Sequence, residues 1–426
     1  MTPTATPMPT LASCDWLRAP SLARLFAAIE HDGDTCWVVG GAVRNALLGL
    51  PVADVDVATT ALPEKVMARA AAAGLKPVPT GIDHGTVTVV VDGHPYEVTT
   101  LREDVETHGR HATVAFGRDW AADAHRRDFT MNALYASLDG VVHDFVGGVA
   151  DCMARRVRFI GDPAARIAED YLRILRFFRF HAAYGRGGLD PGGLHAAIVA
   201  RAGLDGLSAE RLGQEMLKLV VAVGAPATIT QMSDCGILQR VTGRAANLAA
   251  FVRLHATSAA TGRPTRGASD APLFLAALSA WTEGDAVGLG LRLRLSNRAT
   301  ERMAAAAEWA RRIDPGLDAR GARRLLHAVG AETFTDALLL AHVRGRVGRA
   351  VVAPHLDLPD RWPVPRLPIG GRDLVRLGVT GGPMVGRLLA SAEAEWVKSD
   401  FSLPREALLA LIAEKTADRH DKKTDE

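Results

Sequence analysis

Cysteine is scarce in this chain of 426 residues, and its four copies, Cys14, Cys36, Cys152 and Cys235, are far apart. With no CxxC spacing among them, a disulfide framework is excluded and a structural zinc site has no ligands in place. Long apolar runs are missing as well: none reaches the roughly 18 residues a membrane helix needs. The opening MTPTATPMPTLASCDWLRAP has neither a cationic nor an apolar leader segment, so a soluble cytoplasmic protein with no membrane partner is expected. Histidines cluster early, at His84, His94, His108, His111, His125 and His143, but no HxH or HExxH spacing joins them, and they read as surface or packing residues. What is present is an ordinary globular balance, 48% apolar, which excludes disorder as the main state and allows about two to four domains.

Lysine is the other shortage. Seven of the 50 basic residues are lysine, leaving 43 arginines, and the charge is unevenly spread. Residues 1–240 carry 23 basic against 27 acidic side chains, whereas 241–376 carry 20 against 12, a net of +8. Arginine's planar fork suits phosphate, so a polyanion along the later region is one reading. Arginine-rich codon usage is the other.

Local patterns divide the chain. Residues 1–19 are expected to be a disordered tail, Pro/Thr-rich over its first part with nothing to pack. Cys36–Val39 is a short apolar strand running into Gly40-Gly41, Ala42–Leu48 is helical in pattern, Asp54–Ala58 alternates with period two, and Pro63–Ala73 is an Ala-rich helix. Two hairpins are expected, Thr86–Val91 with Tyr96–Leu101 across Asp92-Gly93, and Ala133–Leu138 with Val141–Phe145 across Asp139-Gly140. Residues 102–119 have the length of a flexible loop, with Gly109 and Gly117 at hinge positions. Past Asp162-Pro163 the pattern is helical to the end, broken by loops at 186–191, 261–272, 313–317 and 353–371.

The chemistry-bearing stretch is Val38-Val39-Gly40-Gly41-Ala-Val-Arg44-Asn45, followed by Asp54-Val55-Asp56. A strand that enters two glycines and then a helix turns the first backbone N–H groups toward a cavity where an anion can sit. The GxGxxG spacing of dinucleotide sites is absent. Asp54 and Asp56, two residues apart on a strand, share a face and offer hard oxygen ligands suited to Mg²⁺. Glu97, on a later strand, could complete the set or could pair with an arginine.

Here the chain resembles the class II tRNA nucleotidyltransferases and the related bacterial poly(A) polymerases. Their GGxVRD start, LLG and DxD are matched from Gly40 to Asp56. Arg126-Arg127-Asp128-Phe129-Thr130-Met131-Asn132-Ala133 is similar to RRDFTxNA, associated with the triphosphate and ribose. Asp144-Phe-Val-Gly147-Gly148-Val-Ala-Asp151, Glu169-Asp170-Tyr171-Leu172-Arg173 and Ser208-Ala-Glu210-Arg211 continue the likeness, and a later pattern runs from Pro368 to Gly386. One position departs: Asn45 stands where the family usually has Asp.

The resemblance implies nucleotidyl transfer on metals held by Asp54 and Asp56 as catalytic ligands; the residues' own chemistry adds Mg²⁺ as the ion and Glu97 as the candidate third ligand. It implies nucleotide binding by Gly40, Gly41, Arg44, Arg126, Arg127, Asp128, Asn132, Asp170, Arg173 and Arg176. Base recognition falls to Glu169, Asp170 and Arg173, read here as one helix with Ile167, Tyr171, Ile174, Leu175 and Phe178 on its apolar face. Cytosine and adenine each present an amino donor beside a ring-nitrogen acceptor, and uracil and guanine the reverse. One Asp/Arg pair can therefore accept C and A.

The expected fold is α+β: a nucleotidyltransferase head with a mixed or antiparallel sheet over 20–150, a helical neck over 151–240 that reads the base and binds RNA, and a helical body and tail over 241–426 that binds tRNA. The expected partners are the acceptor arm of tRNA, with CTP and ATP as substrates, and a monomer is the favoured form. A poly(A) polymerase, a restricted A-adding or CC-adding enzyme, and an inactive RNA-binding relative are the competing readings. The EDYLR spelling and the short ADRHDKKTDE end weigh against the polymerase, and intact Asp54 and Asp56 against an inactive relative.

Overall fold

The computed structural model of the chain describes residues 9–108, 111–260, 267–379 and 381–424. It forms two compact units, Met1–Ala246 with Arg266–Ala271 and Arg292–Arg294 in the first, and Asn247–Thr265, Pro272–Leu291 and Leu295–Glu426 in the second.

The first unit is built on a seven-stranded sheet of β1 (Cys36–Val39), β2 (Asp56–Thr59), β3 (Lys76–Gly81), β4 (Thr86–Val91), β5 (His94–Thr100), β8 (Leu134–Ala136) and β9 (Val142–Asp144), in the order β3-β4-β5-β2-β1-β8-β9. Every neighbouring pair is antiparallel except β2–β5, which sets Asp56 opposite Glu97. Period-two burial explains β4: Val87, Val89 and Val91 are buried and the threonines and Val90 between them are less so. Asp92 and Gly93 both have positive φ, at 49° and 82°, which fits the strand twist of a two-residue hairpin turn.

Three expectations change, and one strand had no expectation at all. The strand read from Asp54 begins only at Asp56, so Asp54 precedes the ladder. The expected loop over 102–119 contains a β-ribbon, β6 (Arg102–His108) against β7 (His111–Phe116); its backbone groups pair with each other, which a composition-based loop reading does not anticipate. Gly109 lies outside the described residues. The strand β3 carries two prolines and gave no strand signal; it is tolerated as the sheet's edge. The unpacked tail fails from Thr10 onward, because Leu11 and Leu17 are buried and the Leu11 N–H donates to Gly140.

Helices α1 (Pro20–Ile29), α2 (Gly41–Leu47), α3 (Pro63–Ala72), α4 (Trp120–His125) and α5 (Gly148–Met153) accompany the sheet. Val39, Ala58, Leu101, Ala133, Tyr135 and Ile160 form a core cluster joined by Trp37, which stacks on Trp120 at 3.9 Å. After it come α6 (Pro163–Glu169), α7 (Leu172–Tyr184), α8 (Pro191–Val199), α9 (Ala209–Leu219), α10 (Ala225–Asp234) and α11 (Ile237–Thr242). Phe129 lies 4.9 Å from Phe159 and 5.1 Å from Phe180, ring centre to ring centre, so an aromatic knot fixes α7 against the sheet segment.

The second unit is helical: α12 (Leu248–Ala260), α13 (Ala271–Ser279), α14 (Glu283–Arg292), α15 (Asn297–Arg312), α16 (Ala319–Val343), α17 (Arg349–Val352), α18 (Leu358–Arg361), α19 (Gly371–Arg376), α20 (Gly382–Lys398) and α21 (Arg405–Thr424). Within it α15 and α16 pack together, tied by Arg302 to Asp336 at 2.6 Å. Leu374, Leu388, Trp396, Leu408 and Ile412 make a separate core joining α19, α20 and α21. No helix among the described residues is long and apolar enough to cross a membrane.

Candidate active site

The β1–α2 turn starts the site. Gly40 has φ +74°, a conformation that favours glycine, and it delivers the chain into α2. Around this turn lies a cleft of about 560 Å³ lined by Gly40, Gly41, Arg44, Asp56, Arg126, Arg127, Asp128, Asn132, Asp170, Arg173 and Arg176. Arg179, Phe180 and Arg211 line it as well. Residues more than 170 positions apart therefore converge, and seven arginines face three aspartates across the space. Asp54, Glu97 and Glu169 are not on its lining.

The carboxylates of the expected metal site are only partly assembled. Asp56 and Glu97 are register partners on parallel strands. Burial, then the charges of Glu97 and Asp54, raise Asp56 above the ordinary carboxylate range, with Arg127 acting against them. Among the described residues, however, no three His, Cys, Asp or Glu side chains come together as a metal site. Hard oxygens and crowded like charge suit a divalent cation, and Glu97 and Asp54 act on Asp56 through their charges without the three being gathered into one ligand set.

The arginines are held by carboxylates that sequence reasoning passed over. Asp123, its side chain 1% exposed, takes Arg126 at 2.6 Å and Arg127 at 3.0 Å, and accepts the Tyr135 hydroxyl at 2.7 Å. Burial alone would raise its pKa; the charges of Arg127 and Arg126 and the Tyr135 bond outweigh that and hold it below the usual range. The signal was available, since Asp123 stands three and four residues before the two arginines. Asp128 accepts from the Phe129 N–H, from Asn132 Nδ2 at 3.0 Å and from Arg176 Nε at 2.8 Å. Burial opposes its ionisation and the Arg176 charge and these bonds prevail, so it is held low. Arg179 is paired with Glu215.

Two further aspartates of the matching stretch build scaffold. Asp144 accepts from the N–H groups of Val146, Gly148 and Val149, fixing the loop into α5. Asp151 is fully buried, takes the Thr130 hydroxyl at 2.7 Å and pairs with Arg156 and Arg158.

The expected base-reading helix is broken. Asp170 has φ −156° and ψ 105°, between α6 and α7, and its carboxylate accepts the Leu172 N–H at 3.1 Å. A short acid that can bond the N–H two residues on favours a helix start over a helix interior. The expected Asp170/Arg173 pair is also differently partnered: Asp170 binds Arg211 at 2.6 Å, while Arg173 binds Glu169 and donates to the Arg166 carbonyl. Arg211 belongs to the SxER-like stretch but carried no role in the sequence reading.

A strand-glycine-helix turn, an aspartate at the head of the next strand and an arginine-lined cleft define a nucleotidyltransferase head. Consistently, residues 36–158 match the family model of the poly A polymerase head domain. The chain is 33% identical over 394 residues to the mitochondrial CCA tRNA nucleotidyltransferase 1 of Danio rerio, spanning 88% of this chain and 86% of that one. It is 31% identical to the CCA-adding enzyme of Limosilactobacillus fermentum, over 92% and 95%. The crystal structure of the Bacillus stearothermophilus CCA-adding enzyme in complex with CTP superposes with a TM-score of 0.75 at 26% identity, covering 95% of this chain and all of that one. The chain belongs to the family of CCA-adding tRNA nucleotidyltransferases.

Proposed function

We propose that the protein adds C and A nucleotides from CTP and ATP to the 3′ end of tRNA and releases pyrophosphate. The observation that carries this is the cleft itself, where the head's Gly40-Gly41 turn, Asp56 and the arginines meet Asp170, Arg173 and Arg211 in one space. In the reaction the 3′-oxygen of tRNA forms a bond to the α-phosphorus and the bond to the β-phosphate oxygen breaks. Asp54 and Asp56 would hold a divalent ion, Mg²⁺ by the hardness of the donors, which when bound neutralises phosphate charge and activates the hydroxyl. Arg126 and Arg127 share the single carboxylate of Asp123 and so keep a net positive charge for the triphosphate, while Arg176 is held beside them by Asp128 as a hydrogen-bond donor.

Reading C or A by Asp170 and Arg173 exchanges their present ion pairs for base hydrogen bonds. Neither pair holds a fully enclosed partner, so breaking one costs less than breaking the enclosed Asp123 pair. The test is incubation of the protein with tRNA lacking its CCA end and labelled CTP, ATP, UTP or GTP. Addition of C then A supports the reading; extended A tails, or no transfer, refutes it.

A further inference from the structure

Asn45 is the one place where the GGxVRD-like stretch loses its acid, and the structure shows what the amide does there. Its Oδ1 accepts from Arg44 Nε at 3.1 Å and from Arg44 Nη2 at 2.9 Å. Its Nδ2 donates to the Pro51 carbonyl at 2.9 Å. An aspartate can take the first two bonds but has no proton for the third, and it would face the carbonyl oxygen with a negative charge. The other groups bonded to Arg44 are neutral too: Asn132 Oδ1 at 2.6 Å and the Tyr184 hydroxyl at 2.8 Å, with the Tyr184 ring 3.9 Å away. The nearby carboxylate of Asp128 bonds Arg176 and Asn132 and not Arg44, on which it acts only by its charge across the amide. Arg44 is thus a cation 6% exposed on the floor of the nucleotide cleft, bonded to no acid. Burying a charge without a counter-ion is costly, so its persistence calls for an anion that arrives later.

We propose that Asn45 is a positioning residue for triphosphate binding. It orients Arg44 without cancelling its charge, leaving that charge for the nucleotide's phosphates, and it ties the segment through Pro51, three residues before Asp54, to α2. The inference rests on the nucleotidyltransferase reading and deepens it. It also predicts that restoring the family's acid harms this chain.

The experiment compares Asn45→Asp and Asn45→Ala with the parent, using CTP affinity by calorimetry without divalent ion, kcat and KM for CMP addition, and thermal melting. Asn45→Asp should weaken CTP binding by about tenfold, as a nearby like charge and a neutralised guanidinium imply, and should flatten the salt dependence of that binding. Asn45→Ala keeps the charge and loses the tether, so its kcat should fall more than its CTP affinity. An Asn45→Asp protein that binds CTP as tightly as the parent overturns the charge argument. Should that variant not fold, an Asn45→Ala protein with parental kcat overturns the tether, and with it the positioning role. Because affinity is read without tRNA, a parent that binds CTP but adds nothing to tRNA refutes the proposed function alone.

Discussion

Asp123 is the residue whose removal tests the cleft most directly. Asp123→Ala withdraws from Arg126 and Arg127 the carboxylate that both of them bond, at 2.6 and 3.0 Å, in a place where it is almost fully enclosed. Breaking a buried pair by deleting one partner costs about 3–5 kcal/mol, because the surviving charges stay desolvated. At roughly 2–4 °C per kcal/mol for a unit of this size, the melting transition of the first unit should fall by about 6–20 °C. Asp123→Asn keeps the shape and one acceptor and should lie between. The pH dependence has a definite sign. The folded carboxyl is held below its ordinary value, so its stabilisation is complete above the unfolded value near about 3.9 and is lost as pH falls toward the lower folded one. The gap between parent and Asp123→Asn should therefore be constant at neutral pH and shrink below about pH 4. Calorimetric melts across pH measure this, with KM for CTP rising in parallel as the two arginines loosen. A loss under about 1 kcal/mol at pH 7 would show that the arginines do not depend on Asp123 and that the buried-pair argument is wrong.

Asp54→Ala and Asp56→Ala should each abolish incorporation of both CMP and AMP while leaving tRNA affinity nearly intact; appreciable turnover in either defeats the metal-ligand assignment. Asp170→Ala should lose efficiency with CTP and ATP and gain relative use of UTP or GTP, by roughly 5- to 150-fold if a hydrogen bond worth about 1–3 kcal/mol discriminates the bases; relative kcat/KM for the four nucleotides decides it, and parental fidelity means Asp170 serves only Arg211. For tRNA affinity, Arg298, Arg311, Arg320, Arg349, Arg366, Arg372 and Arg376 are exposed, and their side chains make no hydrogen bond or ion pair among the described residues. If all seven meet phosphates, log Kd against log salt should have a slope of about 5–6, and a salt-insensitive complex removes them from the interface.

The remaining arginines of 241–376 show why composition left two readings open. Arg253 donates to the Val343 carbonyl, Arg292 to Val241, Arg324 to Val397, Arg344 to Ala276 and Arg346 to Ile313. Each donates to a backbone oxygen in or just beyond the last turns of a helix, alone or beside a backbone N–H. Much of the excess therefore serves helix packing, a use that a count of charges does not reveal.

The sequence by itself determined the features that depend on a few neighbouring residues. The Gly40-Gly41 entry to α2, the Asp92-Gly93 hairpin and the Pro63 start of α3 follow from local dihedral preferences and short periods, so they were legible without the fold. The ordered stretches from Gly40 to Arg211 likewise carried the family and most of the cleft lining. Tertiary structure decided the pairings. Asp170 met Arg211, 41 positions away, in place of Arg173, and its own backbone left the helix to cap α7. Asp56 gained Glu97 as a neighbour through a parallel pairing of β2 and β5 that no local pattern announces. Asn45 found Pro51, and Arg44 found Tyr184, 140 positions on. A charged or amide side chain has several partners within reach of its chemistry, and which one it takes is fixed only when the chain's distant segments are packed together.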